Sequence, residues 1–188
     1  MSKSLYNYTE GKELPAVPFL NDDEYKKSIL VNPNPCTDCL IVNKENKTIL
    51  FPIRIAETGA GYWFIGGVWK AQKSARENMA SCFERETKLS INQERFERVK
   101  LEDKDCIPVQ TLWPTGRNDL HIIFSVELSP EEIKTANNNL DTKEYNKDAG
   151  LKEFALKELK NADGIRDIII DAATLALKEE DEINREIR

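Results

Sequence analysis

Two kinds of hydrophobic pattern alternate along the chain. Short runs of apolar, β-branched or aromatic residues between turn residues are typical of strands, and longer segments with apolar positions every three or four residues are typical of helices. The first kind predicts strands at 39–42, 48–55, 62–64, 96–101, 110–113 and 121–128. The polar run 43–47 joins the first two strands, and we interpret it as the turn of a hairpin.

Three helix starts are marked by capping residues. Asn21 fits an N-cap for a short helix that ends near residue 29. Ser74 with Glu77 three residues later fits a capping box, and Ser129 before a proline fits a third helix start.

The last forty residues have a helical pattern. From residue 148 we predict helix to the end of the chain, with an interruption at Gly164. The apolar stripe of the first of these helices consists of Leu151, Phe154, Ala155 and Leu159.

The helix after Ser74 carries an acid on its apolar side. Met79, Cys82, Phe83 and Glu86 follow one another at helical spacing. The carboxylate of Glu86 is therefore expected to lie beside the core, close to the double glycine 66–67 that ends the aromatic strand.

Composition limits the classes of partner. The 188 residues are 40% hydrophobic, which is enough for one compact domain with a core. A net charge of −6 argues against general binding to nucleic acid or to an anionic membrane, so we expect neither partner. The N-terminus lacks the apolar region of a signal peptide and no apolar run has the length of a membrane span, so a cytoplasmic protein is expected.

The four cysteines favour structural thiols over a metal site. Cys36 and Cys39 form a CxxC pair, but Cys82 and Cys106 form no second pair and no histidine lies nearby in the sequence. We expect reduced, structural thiols.

An aromatic strand, a double glycine and a helix with an inward acid resemble the core of the Nudix superfamily. The Nudix box reads Gly, five residues, Glu, seven residues, Arg-Glu, an apolar residue, any residue, Glu-Glu, any residue, Gly, apolar. Counted from Gly67, the matching positions are Gly67, Phe83, Glu86 and Leu89. The positions that differ hold Lys73, Ser81, Cys82, Arg85 and Lys88.

The flanking sequence is similar to the GDP-mannose mannosyl hydrolases, which carry a Gly-Tyr-Trp-Phe strand before the double glycine and lack most of the acids of the box. Here that strand is 61–64, and the runs 20–25, 41–43 and 50–54 also resemble the opening of that family. The resemblance covers roughly residues 20–128.

The resemblance implies a fold and a domain organisation. We expect an α/β protein, with the Nudix α/β/α sandwich around a mixed sheet and an extra C-terminal helix. The predicted parts are an N-terminal arm (1–19), a Nudix-like domain (20–160) and a C-terminal helix (161–188) that packs on the domain or on a partner in a homodimer.

The resemblance also implies a magnesium site. Glu86 and the carbonyl of Gly66 or Gly67 are predicted to hold Mg²⁺, while Arg54 contacts the diphosphate of the substrate. Tyr62 and Trp63 are predicted to contact the substrate as well.

The general base of the related hydrolases has no counterpart in the sequence. Those enzymes have a Gln-His pair in a late loop, and no such pair occurs here. Asp141 or Glu144 falls where that loop is expected and is a candidate for the base or for a further oxygen ligand. His121 lies in an apolar strand, where a packing role is the expected one.

These observations support two functions. The first is Mg²⁺-dependent hydrolysis of a nucleoside-diphosphate sugar of the GDP-mannose type. The second is a catalytically inactive Nudix-like module that binds a nucleotide-type ligand or a protein. The third alternative is an unrelated α+β domain that matches by chance.

Overall fold

The computed structural model describes residues 21–55, 60–99, 109–112 and 117–177. The helices are α1 (Asp22–Val31), α2 (Ala75–Thr87), α3 (Pro130–Asn139), α4 (Leu156–Leu159) and α5 (Asp167–Leu177), with a 3₁₀ turn at Gln93–Arg95. The strands are β1 (Asn34–Asn43), β2 (Thr48–Arg54), β3 (Gly61–Tyr62), β4 (Ile65–Val68), β5 (Glu97–Arg98), β6 (Val109–Leu112), β7 (Asn118–Glu127) and β8 (Leu151–Ala155). The predicted arm 1–19 and Cys106 lie outside the described residues.

The sheet is mixed and is centred on β1. That strand runs parallel to β7 and antiparallel to β2 and β4. β3 and β8 pair with β2, and β5 and β6 pair with β7, all antiparallel. The predicted hairpin between β1 and β2 is confirmed, with Asn43 opposite Thr48.

Helices cover both faces of this sheet because the central strands are apolar on both faces. Cys39 and Ile41 of β1 face a core that contains Met79 and Phe83 of α2. The alternate residues of β1 face a second core, to which α5 contributes Ile169, Ala172, Ala173 and Leu177. The predicted α/β/α sandwich with a mixed sheet and an added C-terminal helix is thereby confirmed.

The capping signals are confirmed at both later helix starts. The Ser74 hydroxyl accepts a hydrogen bond from the Glu77 amide at 3.2 Å, and the Glu77 carboxylate accepts one from the Ser74 amide at 2.7 Å. Ser129 and Glu132 make the same reciprocal pair at the start of α3. Each box satisfies amides that have no partner within the helix.

The prediction of helix from residue 148 was wrong for 151–155. This segment is β8, which pairs with β2 so that Ala155 lies opposite Thr48 and Leu151 opposite Pro52. Its Leu-Lys-Glu-Phe-Ala sequence suits a helix locally, but the free edge of β2 offers backbone partners that a local pattern does not reveal.

The predicted strand at 62–64 also differs. Tyr62 ends β3, and Trp63 and Phe64 separate it from β4 as buried core residues. Gly66 and Gly67 lie within β4, and the glycines with positive φ are Gly61, Gly150 and Gly164 among the described residues.

Two further expectations concern composition. Cys36, Cys39 and Cys82 are buried, and no disulfide joins them. Within the described ranges, no helix is both long enough and apolar enough to cross a membrane.

Gly66 is required by the close approach of β4 to β1. A Cβ atom at this position would lie 2.3 Å from the carbonyl oxygen of Thr37 and 2.8 Å from the Cα of Asp38. At Gly67 the nearest atom would be the Arg85 Nη2, at 3.0 Å, which is the end of a flexible side chain.

We therefore expect Gly66→Ala to lower the free energy of unfolding by about 1–3 kcal/mol, because the two strand backbones must move apart. Gly67→Ala is the matched control and should cost clearly less, since the Arg85 guanidinium can shift. Urea unfolding of both variants measures the difference. Equal losses would contradict a backbone clash at Gly66.

Candidate functional site

The predicted inward acid lies in the last turn of α2. The Glu86 side chain is 2% exposed, beside β4. The α2 helix is held there by the buried Asn78, whose side-chain amide donates to the Thr37 hydroxyl at 2.8 Å and to the Val68 carbonyl at 3.3 Å. These bonds fix the distance between the Glu86 carboxylate and the β4 backbone.

Three donors surround the Glu86 carboxylate. One oxygen accepts from the Gly66 amide at 3.3 Å and from the Tyr145 hydroxyl. The other accepts from the Arg85 guanidinium. Both oxygens of this buried anion are thus hydrogen-bonded within the protein.

The Arg85 guanidinium joins the two groups that were predicted to hold magnesium. Its Nη2 donates to the Gly66 carbonyl at 3.2 Å as well as to the Glu86 carboxylate. Its Nη1 contacts the Cys82 sulfur at 3.7 Å. A permanent cation of the chain therefore contacts the carbonyl and carboxylate oxygens that a metal would bind.

The surrounding residues do not fit Mg²⁺, which takes about six oxygens, usually one or two carboxylates with phosphates and water. The positions that the Nudix resemblance assigns to acids hold Lys73, Cys82 and Arg85. Lys73 donates to the Ser81 hydroxyl at 2.7 Å, and burial raises the pKa of the Cys82 thiol. In the described part of the chain, no cluster of three or more His, Cys, Asp or Glu side chains could hold a metal ion.

The segment 141–146 closes the site from the side of β2. The Asp141 amide donates to the Glu86 carbonyl at 2.8 Å, and the Asn146 amide donates to the Ile53 carbonyl at 2.8 Å. Tyr145 lies between these anchors. Its hydroxyl donates to the Glu86 carboxylate and lies 3.2 Å from the Phe64 carbonyl. The segment therefore connects α2 to β2 through Tyr145.

The carboxylates of the predicted acids Asp141 and Glu144 have partners other than the Glu86 carboxylate. The Asp141 carboxylate accepts from the Lys143 amide at 2.9 Å and so stabilises its own turn. The Glu144 carboxylate binds Arg54, with 3.1 Å between Nη2 and Oε2. The segment singled out in the sequence lies beside Glu86, but the contact of Tyr145 with Glu86 was not predicted; its signal was an aromatic residue in an otherwise polar segment.

The residues predicted to contact substrate lie at the end of β2 and along β3. Arg54 pairs with Gly61 in the β2–β3 ladder, and its side chain is 22% exposed. Tyr62 is half-buried, with its ring edge-on to Phe154 at 4.9 Å between centroids. Trp63 is buried in the core on the α5 side.

Arg166 covers Trp63 and was not identified from the sequence. Its guanidinium carbon lies 4.9 Å from the centroid of the Trp63 ring. No sequence signal distinguishes this residue, because it lies in a polar turn between two helices. It becomes notable only once the turn is placed on β3.

His121 is a packed residue, as expected. It is 2% exposed and its Nδ1 lies 2.6 Å from a carboxylate oxygen of Asp38 on the neighbouring strand. Its buried Nε2 has no hydrogen-bond partner within the part of the chain that the structure describes, and its ring lies 6.0 Å from that of Trp63. His121 and Asp38 lie on the α5 face of the sheet, opposite the Glu86 site. His121 is therefore not a candidate for a general base at Glu86.

Comparison with known proteins supports the fold. No protein-family profile and no curated protein matches the chain. Among solved structures, a MutT Nudix hydrolase from Burkholderia pseudomallei matches 77% of this chain and 98% of its own, with a TM-score of 0.57 and 14% identity. A MutT protein from Methanosarcina mazei Go1 matches 84% and 98%, with a TM-score of 0.54 and 14% identity.

A third similar structure is not described as a hydrolase. NrtR from Shewanella oneidensis, in complex with a 27mer DNA, matches 77% of this chain and 61% of its own, with a TM-score of 0.51 and 10% identity. At such identities the similarity defines the fold, so the chain has the fold of the Nudix hydrolases.

The buried Glu86 gives a prediction for pH. Burial raises the pKa of Glu86 above its ordinary value of 4.5, although the hydrogen bond from Tyr145 and the charge of Arg85 oppose the shift. The folded protein then binds this proton more tightly than the unfolded chain does. The contribution of Glu86 to stability therefore falls as the pH rises from about 4.5 through the raised pKa.

Glu86→Gln has no such proton to lose. We expect the free energy of unfolding of the variant, relative to wild type, to rise with pH above 4.5. Urea unfolding in small pH steps measures this difference. Glu131→Gln, at an exposed position of α3, reports what removal of any one negative charge does. A relative stability that falls or stays level with rising pH would contradict the assignment.

Proposed function

We propose that this protein is a Nudix-fold binding module for a nucleotide-type ligand, a nucleoside diphosphate or its sugar ester, and that it does not use the metal-dependent hydrolysis of the Nudix box. The observation that carries the proposal is the contact of the Arg85 guanidinium with both the Gly66 carbonyl and the Glu86 carboxylate.

The charge of Arg85 opposes a metal ion at this place. Arginine stays protonated at any pH at which the protein is folded, so its guanidinium is a permanent cation. A divalent ion bound to the same oxygens would have to displace it and break its hydrogen bonds. Glu86 would then exchange one cation for another, while Lys73 and Cys82 would offer no carboxylate.

Arg54, at the end of β2, supports the proposed class of ligand. Arg54 is partly exposed at the end of β2, and a planar guanidinium can bind two oxygens of a phosphate at once. Its Nε and Nη2 bind Glu144, so a ligand could use the remaining Nη1 or replace Glu144. The resemblance to hydrolases of nucleotide sugars suggests that the group bound by Arg54 is a diphosphate.

The second candidate function is Mg²⁺-dependent hydrolysis of a nucleoside-diphosphate sugar. One observation favours it: the Arg85 side chain is 48% exposed, so it is the more mobile partner of the buried Glu86. Hydrolysis would require Arg85 to leave the site when substrate arrives. The two functions therefore differ in whether magnesium changes binding and produces turnover.

We expect the wild-type protein to bind at least one member of a panel of GDP-mannose, GDP, UDP-glucose and UDP with equal affinity in EDTA and in Mg²⁺, without forming products. Arg54→Gln should weaken that binding about tenfold or more, since a charge-assisted contact is lost. Calorimetry measures affinity, and phosphorus NMR detects products. Arg76→Gln, which removes another arginine paired with a glutamate, is the matched control.

Each result separates the two functions. If free sugar and nucleoside diphosphate form, and only in the presence of Mg²⁺, the protein is a hydrolase and the binding-module proposal is wrong. If none of these ligands binds, or if Arg54→Gln and Arg76→Gln weaken ligand binding equally, the proposed class of ligand is wrong.

Arg85 can be tested without any nucleotide. We expect Mn²⁺ or Mg²⁺ to leave the melting temperature of the wild type unchanged, because Arg85 takes the oxygens. Arg85→Glu should be less stable without metal, because two carboxylates then lie side by side, and should gain stability with Mn²⁺. Saturation at a hundred times the dissociation constant is worth about 2.7 kcal/mol.

Arg85→Ala provides a neutral comparison, and Arg76→Glu provides an equal charge change at an exposed site. Metal-dependent stabilisation of the wild type equal to that of Arg85→Glu would show that Arg85 does not block the site.

A further inference from the structure

A second arginine lies beside Arg54 at the same edge of the sheet. The Arg166 Nη2 donates to the Ala60 carbonyl at 3.4 Å, and the next residue, Gly61, is the partner of Arg54 in the β2–β3 ladder. The Arg166 guanidinium and the backbone of Arg54 therefore lie at the same end of β3, and the charge of Arg54 is close enough to lower the pKa of Arg166. They come from positions more than a hundred residues apart in sequence.

Two glycines hold this turn against β3. Gly61 and Gly164 have φ values of +112° and +78°, which side chains rarely adopt. A Cβ at Gly61 would lie 3.3 Å from the Gly164 carbonyl oxygen, and one at Gly164 would lie 3.8 Å from the Tyr62 ring. This close packing leads directly into Arg166.

The Trp63 ring fixes the Arg166 side chain. A guanidinium carbon 4.9 Å above the ring centroid is within the range of a cation–π contact. Trp63 is itself 4% exposed and packed in the core, so the platform is rigid. Arg166 is consequently oriented before any ligand binds, which lowers the entropy cost of binding.

The two positive charges act on each other. Burial lowers the pKa of Arg166, and the charge of Arg54 lowers it further. Glu144 balances the charge of Arg54, with 3.1 Å between the paired atoms. A ligand with two adjacent anionic groups would relieve this repulsion more than one with a single group.

We propose that Arg54 and Arg166 together bind the two phosphate groups of a diphosphate, with Arg166 held on the Trp63 ring. This inference rests on the proposed function and names its second phosphate contact. It differs from that function in requiring a diphosphate, because one phosphate cannot engage both guanidiniums as fully.

The test is a double-mutant cycle measured in EDTA, with wild type, Arg54→Gln, Arg166→Gln and the double variant. The probes are the nucleoside diphosphate that binds best, its monophosphate, and inorganic pyrophosphate. We expect Arg166→Gln to weaken diphosphate binding about tenfold or more and monophosphate binding clearly less. The two single losses should not add, because both residues contact one ligand.

Arg166→Lys keeps the positive charge above Trp63 but lacks the planar donors of the guanidinium. It is a second variant in case Arg166→Gln does not fold. It should melt close to the wild type and still favour the diphosphate less than the wild type does. Added salt should weaken wild-type diphosphate binding more steeply than binding by Arg166→Gln.

The possible results test this inference and the proposed function separately. If both Arg166 variants bind the diphosphate as tightly as the wild type does, the proposed role of Arg166 is wrong, while the proposed binding function is unaffected. If both variants lose diphosphate and monophosphate binding equally together with melting temperature, Arg166 only holds the turn. If the wild type binds no diphosphate, both proposals fall.

Discussion

The site depends on one requirement, that a buried carboxylate needs compensating donors. An ionised carboxylate removed from water without a partner costs several kcal/mol, so Glu86, at 2% exposure, must be compensated within the fold. Arg85, Tyr145 and the Gly66 amide provide that compensation. The same three contacts bring the end of α2, the strand β4 and the segment 141–146 together, so the electrostatics of one side chain organises the local structure.

This requirement also explains why the related acid positions could change. In a site with several carboxylates, their mutual repulsion has to be balanced by a bound cation. Here Glu86 is the one acid among the positions that the Nudix resemblance aligns with the Glu-Glu pair, and Arg85 beside it supplies the balancing charge. Arg85 therefore balances the negative charge of Glu86 without an ion from solution, although burial still raises the pKa of Glu86.

Local signals in the sequence predicted the parts of the fold that depend on neighbouring residues. The capping boxes and the inward position of Glu86 follow from spacing along one helix. The strand β8 was missed because its pairing with β2 is set by a distant edge. The contacts of Tyr145 and Arg166 were missed for the same reason, since their partners lie 59 residues away at Glu86 and about a hundred residues away at Ala60. Roles that require two distant segments to meet cannot be read from either segment alone.

A cation that belongs to the chain changes how the site can be regulated. Where a metal ion bridges protein and diphosphate, the two ligands bind with linked free energies, and each raises the affinity for the other. Arg85 is attached to α2 and stays charged, so its contacts with the Gly66 carbonyl and Glu86 need no ion from solution. If a diphosphate binds at Arg54 and Arg166 as proposed, its affinity depends on ionic strength and on the packing of the turn before α5. Arg54 lies on β2, Arg166 in the turn before α5 and Glu86 on α2, so separate elements hold these charged side chains.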